Sequence, residues 1–143
     1  MTSSFLPDLN LWVALNYDRH EHHVAANLWY LALPDEARLV FCRQTQLGLF
    51  RLLSTPAVMG QDALTQKACW KVFDRWAGTG QVRWADDPGG LEPQLRARTE
   101  SEMVAPKAWM DDYLAAFAET AGLTLVTFDK ALAAKTKQAL LLQ

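Results

Sequence analysis

A mostly parallel β-sheet covered on both faces by helices, built from one domain over residues 1–143, is the fold class this sequence predicts. Short apolar runs, "SSFL", "RLVFC", "QVRWA" and "LTLVTF", alternate along the chain with amphipathic helical stretches. The connections between them are short, and that alternation is how parallel strands are joined by crossover helices. Half of the 143 residues are hydrophobic and 21% are charged, a balance that buries a core of useful size.

"SSFL" before Pro7-Asp8 is the first strand, and "LNLWVALN" starts a helix with Leu11, Val13, Ala14 and Leu15 as its apolar content. "HEHHVAANLWYLAL" is a second helix, with Val24, Leu28 and Leu31 near helical spacing and Pro34 as its stop. "RLVFC" is a strand, and "TQLGLFRLLS" a helix with Leu49, Leu52 and Leu53 on one side and Thr45 as N-cap. Pro56 and Gly60 mark a loop. "DALTQKACWKVFDRWAG" is amphipathic, with Cys69, Val72, Phe73 and Trp76 in one stripe and Gly78 and Gly80 ending it. "QVRWA" is a strand, "DDPGG" a turn, and "LEPQLRARTE" a helix with Pro93 in its first turn. "WMDDYLAAFAETAGLTLVTFDKAL" supplies the last clear helix and strand, and "KTKQALLLQ" closes the chain.

No apolar run approaches the ~18–20 residues of a membrane-spanning helix. "MTSSFLPDLNLWVAL" lacks a basic region and is interrupted by Asp8, so no secretory signal is expected. Cys42 and Cys69, far apart in apolar neighbourhoods, are expected to be reduced core residues, which favours a cytoplasmic address. A formal charge of −2 neither requires nor forbids a nucleic-acid partner, because binding depends on a local patch.

In open parallel sheets ligands sit outside the carboxyl ends of the strands, so acidic residues there carry information. Asp8 follows the first strand, Asp129 ends "LTLVTF", and Asp111 lies in the first turn of a helix expected to face the same edge. Neighbours on a helix are ~100° apart, so Asp111 and Asp112 cannot both enter one site. With Met110, Tyr113, Leu114, Phe117, Ala118 and Ala121 as the apolar face, Asp111 falls at its rim, while Asp112 falls opposite beside Glu119. Asp111 is therefore the functional candidate, with Asp112 and Glu119 expected at the surface. Aspartates are common caps and turn residues, which is the competing structural role for each. Together they suit Mg²⁺ or Mn²⁺, which prefer carboxylates and water and relieve the repulsion among ionised aspartates. A metal so held can activate water for in-line attack on a phosphodiester.

"FLPDLNLWVAL", "TQLGLFRLLS", "KAWMDDYLAAFA" and "LVTFDKAL" resemble, in order and over nearly the whole chain, the motifs of PIN-domain proteins, and most closely the VapC-type toxins of toxin–antitoxin pairs. The resemblance implies a three-layer α/β/α fold with a central parallel sheet. It also implies a Mg²⁺- or Mn²⁺-dependent endoribonuclease, a cognate antitoxin that covers the site, and homodimers. By position, Asp8, Asp111 and Asp129 match the family's acidic residues, and Asn10 and Thr127 match polar positions flanking the site. The Thr127 hydroxyl is suited to hold a water or a carboxylate. One departure is Gln46 in "TQLG", where the family often has Glu. Glutamine offers a carbonyl oxygen without charge, so it is expected to orient water or ligands, with weaker metal binding that Gln46→Glu would tighten.

His20, His22 and His23 with Asp18 fit no strong zinc spacing and read as a solvated turn. The six tryptophans read mostly as core, with Trp70 in core or rim packing. Arg43, Lys67, Lys71, Arg75, Arg96, Arg98 and Lys107 are candidate phosphate contacts or a solvated surface, and Asp86-Asp87 a turn outside the site. A rival to the ribonuclease reading is a catalytically weakened PIN fold kept as an RNA- or protein-binding module, with Gln46 marking the loss. An aspartate-nucleophile phosphatase is disfavoured, because "DLN" lacks a second acidic residue two positions on.

Overall fold

A computed structural model describes residues 3–143. The chain runs β1 (Ser4–Pro7), α1 (Leu9–Asn16), α2 (His23–Leu31), β2 (Arg38–Phe41), α3 (Arg43–Leu53) and α4 (Pro56–Met59), the last followed by a 3₁₀ turn. It continues through α5 (Gln66–Ala77), β3 (Val82–Trp84), α6 (Leu91–Arg98), α7 (Ala108–Ala121), β4 (Thr124–Thr127), α8 (Lys130–Ala133) and β5 (Ala139–Leu141). Among the described residues the five strands are all parallel, in the order β3-β2-β1-β4-β5. The chain moves outward from β1 through β2 to β3, then crosses back to β4 and outward again to β5. The order therefore reverses between β1 and β4, where such a sheet opens a crevice at its carboxyl edge.

Alternation along the strands divides the core between the two faces. Phe5, Leu39, Phe41, Val82 and Val126 join one cluster with α1, α3 and α5, in which Trp12 stacks on Phe41 at 3.8 Å. Leu6, Val40 and Leu125 join the other with α6, α7 and α8, around Leu114 and Phe117. The three-layer α/β/α arrangement and its parallel sheet are as expected. Gly48 brings α3 against α1, since a Cβ there would lie 2.9 Å from Leu9 Cδ2. Gly122, at φ 70°, turns the chain from α7 into β4 while the Leu123 N–H closes on the Ala118 carbonyl at 2.8 Å.

Several expectations change. Val24, Leu28 and Leu31 do not face the core but are 64–73% exposed, and α2 packs instead through buried Ala26 and partly buried Trp29 and Tyr30. The large aromatic rings take the space near the sheet, with Trp29 edge-on to Phe5 and Tyr30 edge-on to Trp76. Thr45 is not the N-cap of α3 but its third residue; its hydroxyl accepts from the Cys42 N–H and donates to the Cys42 carbonyl. The Pro56–Gly60 loop contains a helical turn, and "KTKQALLLQ" contributes an edge strand. Met110 is 52% exposed and Ala121 is exposed as well, so the buried face of α7 is carried by Leu114 through Ala118. Trp70, Trp84 and Trp109 are 39–57% exposed; Trp70 packs edge-on to Phe50 and Phe73, a rim position.

Asp112 and Glu119 are not free surface groups. Asp112 is buried and accepts a 2.9 Å bond from Lys135 Nζ, while Glu119 pairs with Arg98 at 2.7 Å and accepts from the Thr136 hydroxyl. The charge of the Arg98 hydrogen bond holds the Glu119 carboxyl below its ordinary pKa. The face opposite the sheet-side residues of α7 is covered by the segment after α8, which these pairs fasten. That fastening sets α7 and α8 in fixed relation at the carboxyl edge of the sheet.

Candidate active site

Three segments remote in sequence deliver aspartates to the crevice at the β1–β4 reversal. A cleft of about 810 Å³ there is lined by Asp8, Asp111 and Asp129, with Asn10 beside them. Asp8 leaves the end of β1 and caps α1, its Oδ1 accepting from the Leu11 N–H at 2.8 Å. Its Oδ2 accepts from the Thr127 hydroxyl at 2.6 Å. The same Thr127 oxygen accepts the Asp129 N–H at 2.9 Å, so one buried hydroxyl ties two of the acidic segments together. Asp129 caps α8 through Oδ1, which accepts from the Ala131 and Leu132 N–H groups. Asp111 is half-buried in the first turn of α7.

The electrostatics of the cleft are those of crowded carboxylates. Burial raises the pKa of Asp8 to about 6, opposed by its bonds from Thr127 and Leu11 and reinforced by the charges of Asp111 and Asp129. Asp111 is raised as well, first by burial and then by Asp129, with Lys135 acting the other way. Among the described residues no three Asp, Glu, His or Cys side chains stand close enough to form a ready-made metal cage. The donor set nevertheless fits a hard divalent cation. Its oxygens are anionic and mutually repelling, and Mg²⁺ keeps several waters and needs only one or two carboxylates.

Gln46 does not line the cleft. It is buried, and its Oε1 accepts a 2.6 Å bond from Arg43 Nη1. Of the seven basic candidates only Arg43 lines the cleft, joined by Arg51 two turns along α3, which sequence reading passed over. Asp87, expected in a turn outside the site, instead lines the cleft and accepts a 2.5 Å bond from the Tyr113 hydroxyl. The signal for it was partial: Asp87 comes three residues after β3, on the same carboxyl edge of the sheet where Asp8 directly follows β1. Burial and that bond push the Tyr113 pKa up, so the hydroxyl stays a donor.

The histidine turn is packed. His20 Nε2 lies 3.0 Å from Asn10 Oδ1, His22 stacks on Phe128 at 4.2 Å, and His23 Nδ1 lies 2.6 Å from the Ala14 carbonyl.

A parallel sheet with acidic residues gathered at its topological reversal defines a PIN-like α/β fold with a candidate nuclease cleft. No family model matches the chain. Ribonuclease VapC41 of Mycobacterium tuberculosis is 40% identical over 130 residues, covering 88% of this chain and 89% of its own. The chain therefore belongs to the VapC ribonuclease family. Its fold is shared by the crystal structure of M. tuberculosis VapC20, described as a Sarcin-Ricin loop cleaving toxin. The TM-score is 0.63 at 17% identity, covering 91% of this chain and 93% of that one. It is also shared by VapBC2 of Rickettsia felis, solved bound to a promoter DNA fragment, at TM-score 0.70 and 12% identity over 98% and 99% of the chains.

Proposed function

We propose that this protein is a metal-dependent endoribonuclease toxin of a type II toxin–antitoxin pair, hydrolysing RNA phosphodiester bonds in the cleft of Asp8, Asp111 and Asp129. The observation that carries the reading is that these three aspartates line one cleft, in a chain 40% identical to a VapC ribonuclease. Asp8, Asp111 and Asp129 would hold Mg²⁺ or Mn²⁺. When bound, the cation supplies Lewis-acid activation of water and charge stabilisation at the phosphate.

The protein's own part is positioning. Thr127 fixes the Asp8 carboxylate from one side while the α1 N-terminus fixes it from the other. The Asp129 backbone is held by the same hydroxyl, so the two carboxylates keep their relation across the β1–β4 crevice. The Asp112–Lys135 pair anchors the first turn of α7, from which Asp111 projects. Asn10 adds a neutral polar group beside Asp8. Gln46 acts on the cleft through Arg43.

A cognate antitoxin, a homodimeric toxin and a cytoplasmic site of action belong to the same proposal. No helix among the described residues is long and apolar enough to cross a membrane. A second reading, a weakened module that binds RNA or a protein without cleaving, is favoured by the neutral Gln46 and its engagement by Arg43. Wild type, Asp8→Asn and Asp111→Asn should be compared for Mn²⁺-dependent RNA cleavage and for growth arrest on expression. Cleavage and arrest by wild type alone support the toxin. Cleavage that survives both substitutions contradicts the site, and RNA binding without cleavage by any of the three favours the module.

A further inference from the structure

We propose that Arg43 is a fixed phosphate-binding residue on the α3 wall of the cleft, and that the neutral side chain of Gln46 leaves its charge available to the RNA backbone. The inference rests on the ribonuclease reading and deepens it. Arg43 opens α3 on the cleft side, and its guanidinium carbon lies 4.6 Å from the centroid of the Trp84 ring. Its Nη1 donates to Gln46 Oε1 at 2.6 Å. A ring face and a buried carbonyl therefore hold the fork from two sides, and its other N–H donors meet no protein acceptor among the described residues. A guanidinium fixed in this way loses little further freedom when it binds a phosphate.

The neutrality of Gln46 matters because of where its oxygen points. A carboxylate at that position would form a charge-assisted pair with Arg43 and offset its charge. The glutamine carbonyl orients the guanidinium without neutralising it. Arg51 continues the wall about 12 Å further along α3, from the rise of a helix over eight residues. The cleft thus has a basic wall on α3 facing the acidic edge of the sheet. An RNA strand lying along α3 has its backbone neutralised on one side and one phosphate presented to the carboxylates on the other.

The test is binding of a fluorescently labelled single-stranded oligouridylate in EDTA, across a series of KCl concentrations, with thermal melting of each variant. Arg43→Ala should weaken binding about fivefold to tenfold at low salt and reduce the slope of log affinity against log salt by about 0.7, the share of one phosphate on a single strand. Arg43→Lys should keep the slope. Gln46→Glu should lower affinity and slope in the manner of Arg43→Ala although no basic residue is removed, which a purely structural role for Arg43 would not produce. Wild-type affinity and slope in both Arg43→Ala and Gln46→Glu would overturn the inference while leaving the ribonuclease reading intact. A wild-type protein with no salt-dependent RNA binding would likewise overturn the inference, whereas the ribonuclease reading itself fails only if wild type does not cleave RNA when Mn²⁺ is restored.

Discussion

Asp8 serves a helix and a threonine with one carboxylate and, in the proposed function, a cation as well. Its Oδ1 caps α1, a role worth ~1 kcal/mol, and its Oδ2 takes the Thr127 proton. The capping role expected for any lone aspartate is therefore real at Asp8 and Asp129, and it coexists with their convergence on the cleft. Burial leaves Asp8 binding its proton more tightly in the folded than in the unfolded chain, with a pKa about 6 against an ordinary value of 3.8. A raised carboxyl favours the folded state at low pH, and that contribution is lost as pH rises from about 4 to about 6. In metal-free protein Asp8→Asn should thus gain stability relative to wild type across that window, by up to about 3 kcal/mol. Urea melts at pH 4, 5, 6 and 7 measure it, and a pH-independent difference would refute the assignment. Thr127→Val removes a donor from a buried carboxylate and should cost about 1–3 kcal/mol, while Thr127→Ser should restore most of it. Equal stability of both variants with wild type would show that the bond contributes little.

At the level of elements, the spacing of apolar residues located the six longer helices but not the four-residue α4 and α8, and all but one strand, and it did not say which side of α2 is buried. Val24, Leu28 and Leu31 stand at helical spacing and are exposed, whereas Ala26 is buried at 0% exposure. Hydrophobic periodicity marks an apolar stripe without naming what covers it, and here small and aromatic residues made the closer fit to α1 and the sheet. Polar substitution at Leu28 should change stability by less than about 0.5 kcal/mol, whereas Ala26→Leu should destabilise by about 1–3 kcal/mol through overpacking. Thermal denaturation decides between them, and a large loss at Leu28 would mean that α2 packs the other way. β5 was missed because "ALLL" is too short for its period to distinguish strand from helix. The ion pairs of α7 were missed for another reason. Asp112 and Glu119 lie away from the sheet; the chain folding back after α8 brings Lys135 and Thr136 onto them, and the end of α6, packed on α7, brings Arg98.

At the level of the whole molecule, strand order turns separated motifs into one place. Asp8 and Asp129 lie 121 positions apart, yet β1 and β4 are neighbours and the Thr127 hydroxyl touches both segments. That much was legible, because the carboxyl ends of parallel strands share an edge whatever their order. The composition of the opposite wall was not, since it depends on how α3 rotates against α1 at Gly48 and so which of its side chains reach the cleft. Arg43 and Arg51 arrive there, Gln46 turns inward, and Asp87 enters from the far end of β3. The most direct measurement of the central claim is calorimetric titration of Mn²⁺ into wild type and into Asp8→Asn, Asp111→Asn and Asp129→Asn at neutral pH. The account predicts one site in wild type, weakened by an order of magnitude or more in each variant in the manner of lost metal ligands. Wild-type Mn²⁺ affinity in all three variants would contradict it.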